Sequence, residues 1–426
     1  MPFLPHHPFP LKKRQRLCPG EQTGKIIPPY FFQGKQISLP EQACISEILC
    51  KFAAQLHENG LANRIMLLVI SILLHLNVNT MIKKILLSVF ALMGCCTAAW
   101  ADVEINETTF PDENFRDYLL RLSYGKDGVL TDAEIARVTE INVSKMKIQS
   151  LKGIEYFTAL KILNCSGNQL TVLDVSQNTT LEWLFCSNNQ LTVLDISKNT
   201  VLTLLYCTNN QLTVLDVSKN TALTQLYCTD NQLTALDVSK NTALTSLDCH
   251  NNQLTTLDVS QNTALTKLDC GGNQLTALDV SKNTALEELD CGGNQLTALD
   301  VSKNTALEEL DCSNNQLTAL DVSQNTALDT LYCSGNWLTE LDVSKNTKLT
   351  WLDCYSNQIK GTAMDVLVES LPKVREVWYG GEMCVIYFEN EGNEMTTTQV
   401  AAAKAKGWTP YARANYKMKK YKGSSQ

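Results

Sequence analysis

Ten cysteines stand 21 residues apart without one insertion: Cys165, Cys186, Cys207, Cys228, Cys249, Cys270, Cys291, Cys312, Cys333 and Cys354. Three residues after each comes an asparagine, from Asn168 to Asn357 in the same steps. A unit this short cannot enclose a core by itself, so each must bury its apolar side against the next. A representative unit reads Leu244-x-x-Leu247-x-Cys249-x-x-Asn252-x-Leu254, then Leu257-Asp258-Val259-Ser260-x-Asn262. The Leu, Cys and Val positions alternate as the inward side of a short strand does. The asparagine is placed to turn inward where the strand ends, and its amide can both donate to and accept from free backbone groups. Stacking predicts a ladder of such amides. The second half of the unit repeats the spacing of the first, which predicts two strand-like edges per coil and a flat rod of roughly 48 Å for ten coils.

Sixteen cysteines in one chain invite a disulfide or metal reading, but the spacing opposes both. No C-x-x-C pair is present, whereas structural metal sites usually take paired ligands. Side chains of stacked, in-register strands run parallel, which suits a disulfide poorly. The cysteines of the register are expected to be small buried apolar residues, and no cofactor is expected.

The segment L-x-x-L-x-C-x-x-N-x-L, followed by L-D-V-S-x-N-T, resembles the leucine-rich repeats of proteins secreted or displayed by bacteria. It is similar to the internalin-like group in its short 21-residue subtype. The resemblance is strong from Ile148 to Ile359 and weaker outside. It implies a leucine-rich-repeat β-solenoid of parallel short strands, about ten 21-residue coils, with a small helical N-terminal cap and an α/β C-terminal cap. It also implies an extracellular binder of a protein or a glycan, without naming the ligand.

The flanks read as end caps, over 102–147 before the solenoid of 148–358 and over 359–426 after it. Phe110-Pro111-Asp112 opens a helical pattern running to about Leu122, and Thr131-x-x-Glu134 is a capping box for a second short helix. Ser123 to Glu134 resembles an EF-hand loop, but Ser123 and Gly125 stand where carboxylates are expected. A degenerate loop in a helical cap is the expectation. On the other side, Thr362–Leu371 and Thr398–Lys406 read as helices, Met383–Phe388 and Trp408–Tyr411 as strands, and the basic tail from Arg413 to Lys422 as frayed.

Residues 1–80 are Pro-rich, then basic, then apolar, with no period, and read as a doubtful upstream extension. Met81 opens a better start: Lys83 and Lys84, an apolar run from Ile85 to Gly94, then Ala99-Trp100-Ala101 as a cleavage site. Residues 81–101 thus have the form of a signal peptide, with a secreted or cell-surface product expected. Leu92-Met93-Gly94-Cys95 resembles a lipobox, so lipidation at Cys95 competes with cleavage after Ala101 and is the one expected membrane link.

Charge is uneven. The chain holds 36 Lys+Arg and 44 Asp+Glu; 10 and 4 of these fall in 1–101, leaving 26 and 40, or a net of −14, for 102–426. That balance opposes a nucleic-acid partner. Catalysis is not expected either. Four of five histidines precede the cleavage site, leaving His250 alone for any triad or multi-His metal site. No phosphate loop, dinucleotide fingerprint or H-E-x-x-H is present.

Comparison of the coils with one another separates constant from variable positions. On the L-D-V-S side the outward residues barely change, with Asp in nine successive coils from Asp174 to Asp342. Around each Cys the outward positions vary. Early coils carry Trp183, Phe185, Tyr206 and Tyr227; middle coils carry Asp248, His250, Asp269, Glu288, Asp290, Glu309 and Asp311; late coils carry Tyr332, Trp351 and Tyr355. These fourteen are the candidate ligand residues: a face with aromatic ends and an acidic centre. Exposed aromatics supply large contact area at interfaces. A protein ligand, a glycan stacked on the rings, and a structural surface component without a ligand are the readings the sequence leaves open.

Overall fold

The structure, a computed structural model, describes residues 102–374, 381–387, 392–414 and 417–424. The expected signal peptide, with Cys95 and Ala101, lies outside the described residues.

Ten coils carry ten three-residue strands: β4 Ile162–Asn164, β5 Trp183–Phe185, β6 Leu204–Tyr206, β7 Gln225–Tyr227, β8 Ser246–Asp248, β9 Lys267–Asp269, β10 Glu288–Asp290, β11 Glu309–Asp311, β12 Thr330–Tyr332 and β13 Trp351–Asp353. They pair in parallel, each with the next in sequence, within one 14-stranded sheet. The register is unshifted from coil to coil, as in Leu247↔Leu268 and Leu268↔Leu289. The repeat period is the reason. Identical spacing puts the same residue at the same height in every coil, and any slip would turn apolar side chains outward. The Leu, Cys and Val columns are buried and form one continuous core.

The amide ladder forms as the spacing predicts. Asn252 Nδ2 donates to the carbonyls of Cys228 (3.1 Å), Cys249 (3.0 Å) and His250 (3.2 Å), and its Oδ1 accepts from the N–H of Leu233 at 3.0 Å. One side chain thereby ties its own coil to the preceding one. The ten cysteines of the register are free thiols. Burial pushes the Cys165 thiol up to about 12 and the Cys249 thiol well above the ordinary range.

The second strand-like edge does not form. Each coil pairs as a strand on one side only, and the L-D-V-S side runs through turns. Local side-chain bonds win there. Asp258 Oδ1 accepts from the N–H of Ser260 at 2.8 Å, and the N–H of Asn262 turns back to the carbonyl of Val259 at 2.9 Å. Asp and Asn at these positions offer the backbone a turn in place of a ladder. Stacking is kept by a second amide row: Asn262 Nδ2 donates to the carbonyls of Val238 (3.0 Å) and Asn241 (2.8 Å). Its Oδ1 is buried without a partner, as is that of every asparagine in the row from Asn178 to Asn346.

The N-terminal end is covered by α1 Glu113–Arg121, α2 Asp132–Ile135 and the short antiparallel pair β1 Val103–Glu104 and β2 Val129–Leu130. Asp112 does two jobs. One oxygen caps α1 through the N–H of Phe115, and the other takes the N–H of Gln149 at 2.7 Å, fastening the cap to the solenoid. Strand β3 Glu140–Asn142 begins the long sheet against β4. In the EF-hand-like segment, Asp127 closes a turn on the N–H of Val129, and the Glu134 carboxylate takes the N–H and hydroxyl of Thr131. Both carboxylates serve the local fold.

At the other end come α3 Thr362–Ser370, β14 Gly381–Tyr387, α4 Thr397–Ala405 and β15 Trp408–Ala414, with α4 packed on α3 and on β15. Strands β14 and β15 extend the parallel sheet beyond β13. The tail is not frayed: β16 Lys417–Lys420 pairs antiparallel with β15, Tyr411 opposite Lys420. Asn393 continues the amide ladder one step beyond Asn357. Its Oδ1 accepts from the N–H of Ile359 at 2.8 Å, and its Nδ2 donates to the carbonyls of Cys354 and Val385. Among the described residues no helix is long and apolar enough to cross a membrane.

Candidate binding face

The strands present outward columns at the positions three before, one before and one after each cysteine. Parallel pairing stacks the residues of one column about 4.8 Å apart. The central column, one residue before the cysteine, runs Asn164, Phe185, Tyr206, Tyr227, Asp248, Asp269, Asp290, Asp311, Tyr332 and Asp353.

Its members Phe185, Tyr206 and Tyr227 form a ring stack. Phe185 and Tyr206 lie 5.3 Å apart at 19°, and Tyr206 and Tyr227 lie 4.1 Å apart at 8°. Trp183 is in the column two residues earlier, 43% exposed and beside Leu204. At the far end Tyr332 and Trp351 meet at 6.5 Å with tilted rings, and Tyr355 stacks on Tyr387 at 5.6 Å. The expected aromatics are therefore two groups separated by four acidic coils, not one line. In the early group the ring faces lie mainly against each other.

The acidic centre lines a trough of about 190 Å³. Asp248, Asp269, Asp290 and Asp311 each take the backbone N–H two residues on, at 3.1, 3.1, 2.9 and 2.8 Å. Those bonds fix the carboxylates without neutralising them. Burial first, and the neighbouring carboxylates second, push Asp290 up to about 7. Burial likewise raises Asp248, Asp311 and Glu309. His250, one residue after Cys249, has Nδ1 at 3.1 Å from Asp269 Oδ1. That bond is the main reason its imidazolium persists to about 9, with the Asp290 and Asp248 charges adding to it. Glu288 is paired with Lys267.

Several participants escape sequence reasoning. Lys267 stands in the column of Trp183 and Glu288, where only pairing shows its role. Gly271 and Gly292 occupy the column of His250, which holds Ser or Thr in several other coils. A Cβ at 271 would meet His250 Nδ1 at 2.7 Å and Asp290 Oδ1 at 3.0 Å. Arg413, assigned by its basic surroundings to a frayed tail, belongs to β15. Its guanidinium sits 5.6 Å over the Tyr355 ring and donates to the Tyr355 hydroxyl at 2.9 Å.

The family description "Leucine Rich repeats (2 copies)" matches residues 221–262, 242–283, 263–304, 284–325 and 305–346, and an LVIVD repeat matches 184–208. Among solved structures, the functional domain of InlJ from Listeria monocytogenes superposes with a TM-score of 0.59 and 43% identity. That domain is described as including a cysteine ladder, and this chain carries a ladder of its own, of ten stacked, buried cysteines. The chain is an internalin-like leucine-rich-repeat protein.

The InlJ likeness covers 62% of this chain and 59% of that one, so the internalin-like chain spans under two thirds of that relative. An internalin, InlF of the same organism, matches at 23% identity and TM-score 0.59, covering 75% of this chain and 99% of that one. The Leptospira interrogans protein LIC12759 matches at 24% and 0.54, covering 67% and 80%. These two speak for the fold alone. A comparison with curated proteins finds no match. Leucine-rich-repeat solenoids of this kind are scaffolds for protein–protein interaction, and they are generally not enzymes.

Proposed function

We propose that this internalin-like chain is an extracellular or cell-surface binding protein whose strand face docks a protein ligand, as an adhesin does. One observation carries the reading. The outward strand residues change from coil to coil, while the turn side repeats the same Asp and Ser in nine coils. A scaffold needs the second kind of surface, and only a recognition surface has use for the first. The candidate residues are the fourteen of the face, from Trp183 to Tyr355. The export signal at 81–101 and the acidic surface agree with a protein that works outside the cell, free after cleavage behind Ala101 or anchored through Cys95. No catalytic role is proposed.

Two sets of experiments test this. Mass spectrometry of the mature N-terminus is expected to find Asp102 or a lipid on Cys95; an unprocessed chain in the cytoplasm would contradict export. Pull-down from extracellular-matrix extract is expected to capture a specific protein, with capture lost in Trp183→Ala, Tyr206→Ala and Trp351→Ala. Capture that survives all three would remove the strand face from consideration. The glycan reading is second. Sugar stacking needs free ring faces, and Tyr206 and Tyr227 cover each other at 4.1 Å. Saturable binding on a glycan array, lost in Trp183→Ala and Trp351→Ala, would promote it.

A further inference from the structure

Among the described residues, the Asp file is answered by cations of the chain itself at two places. His250 sits against Asp269 at 3.1 Å. Arg413 reaches over Tyr355 beside Asp353, and its charge lowers the carboxyl that burial otherwise raises. Between them stand Asp290 and Asp311, and among the described residues neither has an ion-pair partner. Glu309 is equally unpaired, and Lys267 is taken by Glu288. At the far end Asp353 is 6% exposed; Arg413 and a hydrogen bond with Cys384 serve its carboxyl, yet its Oδ1 takes no hydrogen bond.

The backbone around the middle pair is cut away. Gly271 and Gly292 replace larger residues at the positions where a Cβ would come within 3.0 Å of Asp290 Oδ1 and of Asp311 Oδ1, respectively. Tyr332 closes the next step of the column with an aromatic ring, the surface a guanidinium or ammonium favours. Arg413 on Tyr355, with Asp353 beside it, shows the same trio of cation, ring and carboxylate assembled within this chain.

We propose that the strand face between His250 and Arg413 docks a Lys- or Arg-bearing segment of a protein partner, with Asp290 and Asp311 each receiving a cation. This rests on the reading of the strand face as a protein-binding surface and names the chemistry of the partner. The segment lies along the solenoid axis, because the carboxylates are arranged in single file. A metal ion is the competing occupant, since His250, Asp269 and Asp290 bring ligand atoms within 4.8 Å of one another. It is the weaker one: Asp269 holds a proton on His250, and a metal must displace it.

The test is fluorescence anisotropy of a labelled hexa-arginine peptide titrated with the full chain at low and high salt. Saturable one-to-one binding, weakened by salt, is expected. The double variant Asp290→Asn, Asp311→Asn should weaken it about tenfold or more, since charge is lost while the Oδ1 that fixes the turn is kept. The double variant Asp258→Asn, Asp279→Asn, on the turn side, removes equal charge and should change binding less than about twofold. Equal losses from the two pairs would mean diffuse attraction and overturn the proposal. So would the absence of saturable binding, or Zn²⁺ or Ca²⁺ binding at Asp290 that excludes the peptide. If the peptide fails while the alanine variants of the face still abolish capture of a partner, this inference falls and the binding face stands.

Discussion

Nδ1 of His250 lies 3.1 Å from Oδ1 of Asp269, one coil further along the solenoid. The two residues are 19 apart in sequence, so the pairing exists only because the 21-residue period sets neighbouring coils in register. The imidazolium is held to about 9, chiefly by this bond. NMR titration should therefore find His250 still protonated at pH 8, and Asp269→Asn should bring its midpoint down toward the ordinary histidine range near 6.5. An unchanged midpoint in that variant would show that the bond does not form in solution.

Stability should fall as pH rises from about 4 to 9. Asp290 and Asp353 titrate near 7 and 6 in the folded chain, above the ordinary carboxyl value. The folded state thus holds protons that the unfolded chain has released, and its advantage shrinks as pH passes through that window. His250 acts in the same sense: its contribution is complete below about 6.5 and gone above about 9. The turn-side carboxyls, such as Asp258, are lowered by bonds from Ser260 and act oppositely, but only at more acid pH. Thermal melts should give a higher Tm at pH 5 than at pH 8, and Asp290→Asn should raise the Tm at pH 8. A Tm that climbs from pH 5 to pH 8 would refute this charge balance.

The two asparagine rows should differ in worth. Asn252 donates three hydrogen bonds and accepts one, whereas Asn262 donates two and leaves a buried Oδ1 unpaired. Removing Asn252 strands the N–H of Leu233, at a cost of roughly 1–3 kcal/mol, and takes one bond each from the carbonyls of Cys228, Cys249 and His250, which keep those from Asn231, Asn273 and the N–H of Asp230. Asn262→Ala leaves the carbonyls of Val238 and Asn241 with the N–H groups of Asn241 and Leu244, and removes the orphaned oxygen. Urea unfolding is expected to rank Asn252→Ala as clearly the more destabilising; the reverse order would place the main stacking bonds on the turn side.

Thiol chemistry offers an independent check. Burial raises the ladder thiols far from the thiolate range, and reactivity follows the thiolate. Brief iodoacetamide treatment of the native protein, read peptide by peptide, should leave Cys165 through Cys354 unmodified and label them only after denaturation. Native labelling at Cys249 would mean that the coils open or that the column is not buried.

The solenoid was legible because its signal is repeated. One unit says little, but ten units with Leu247, Cys249 and Asn252 at fixed offsets leave few other ways to bury the apolar side. The second strand was misread from the same regularity. Spacing alone does not separate a Val259 that enters a strand from one that enters a turn, and the preceding Asp258, which closes on Ser260, decides it. The face was half legible. Its outward columns follow from the period, so Asp248, Asp269, Asp290 and Asp311 could be placed in one file. Arg413 could not, because it reaches Tyr355 across 58 residues through a β14–β15 extension that lies outside the repeat. Asn393 was hidden for the same reason, since the ladder continues there after the 21-residue step has ended.

The strand face as the place of ligand contact is tested most directly by photo-cross-linking. Benzoylphenylalanine would be placed singly at Tyr227, Glu309 and Trp351 on the strand face, and at Lys240, Lys282 and Lys303 on the turn side. Each variant would then be exposed to extracellular-matrix extract and irradiated. The account predicts one protein partner cross-linked from the three strand-face positions and none from the turn side. Cross-links from the turn side, with a silent strand face, would contradict it.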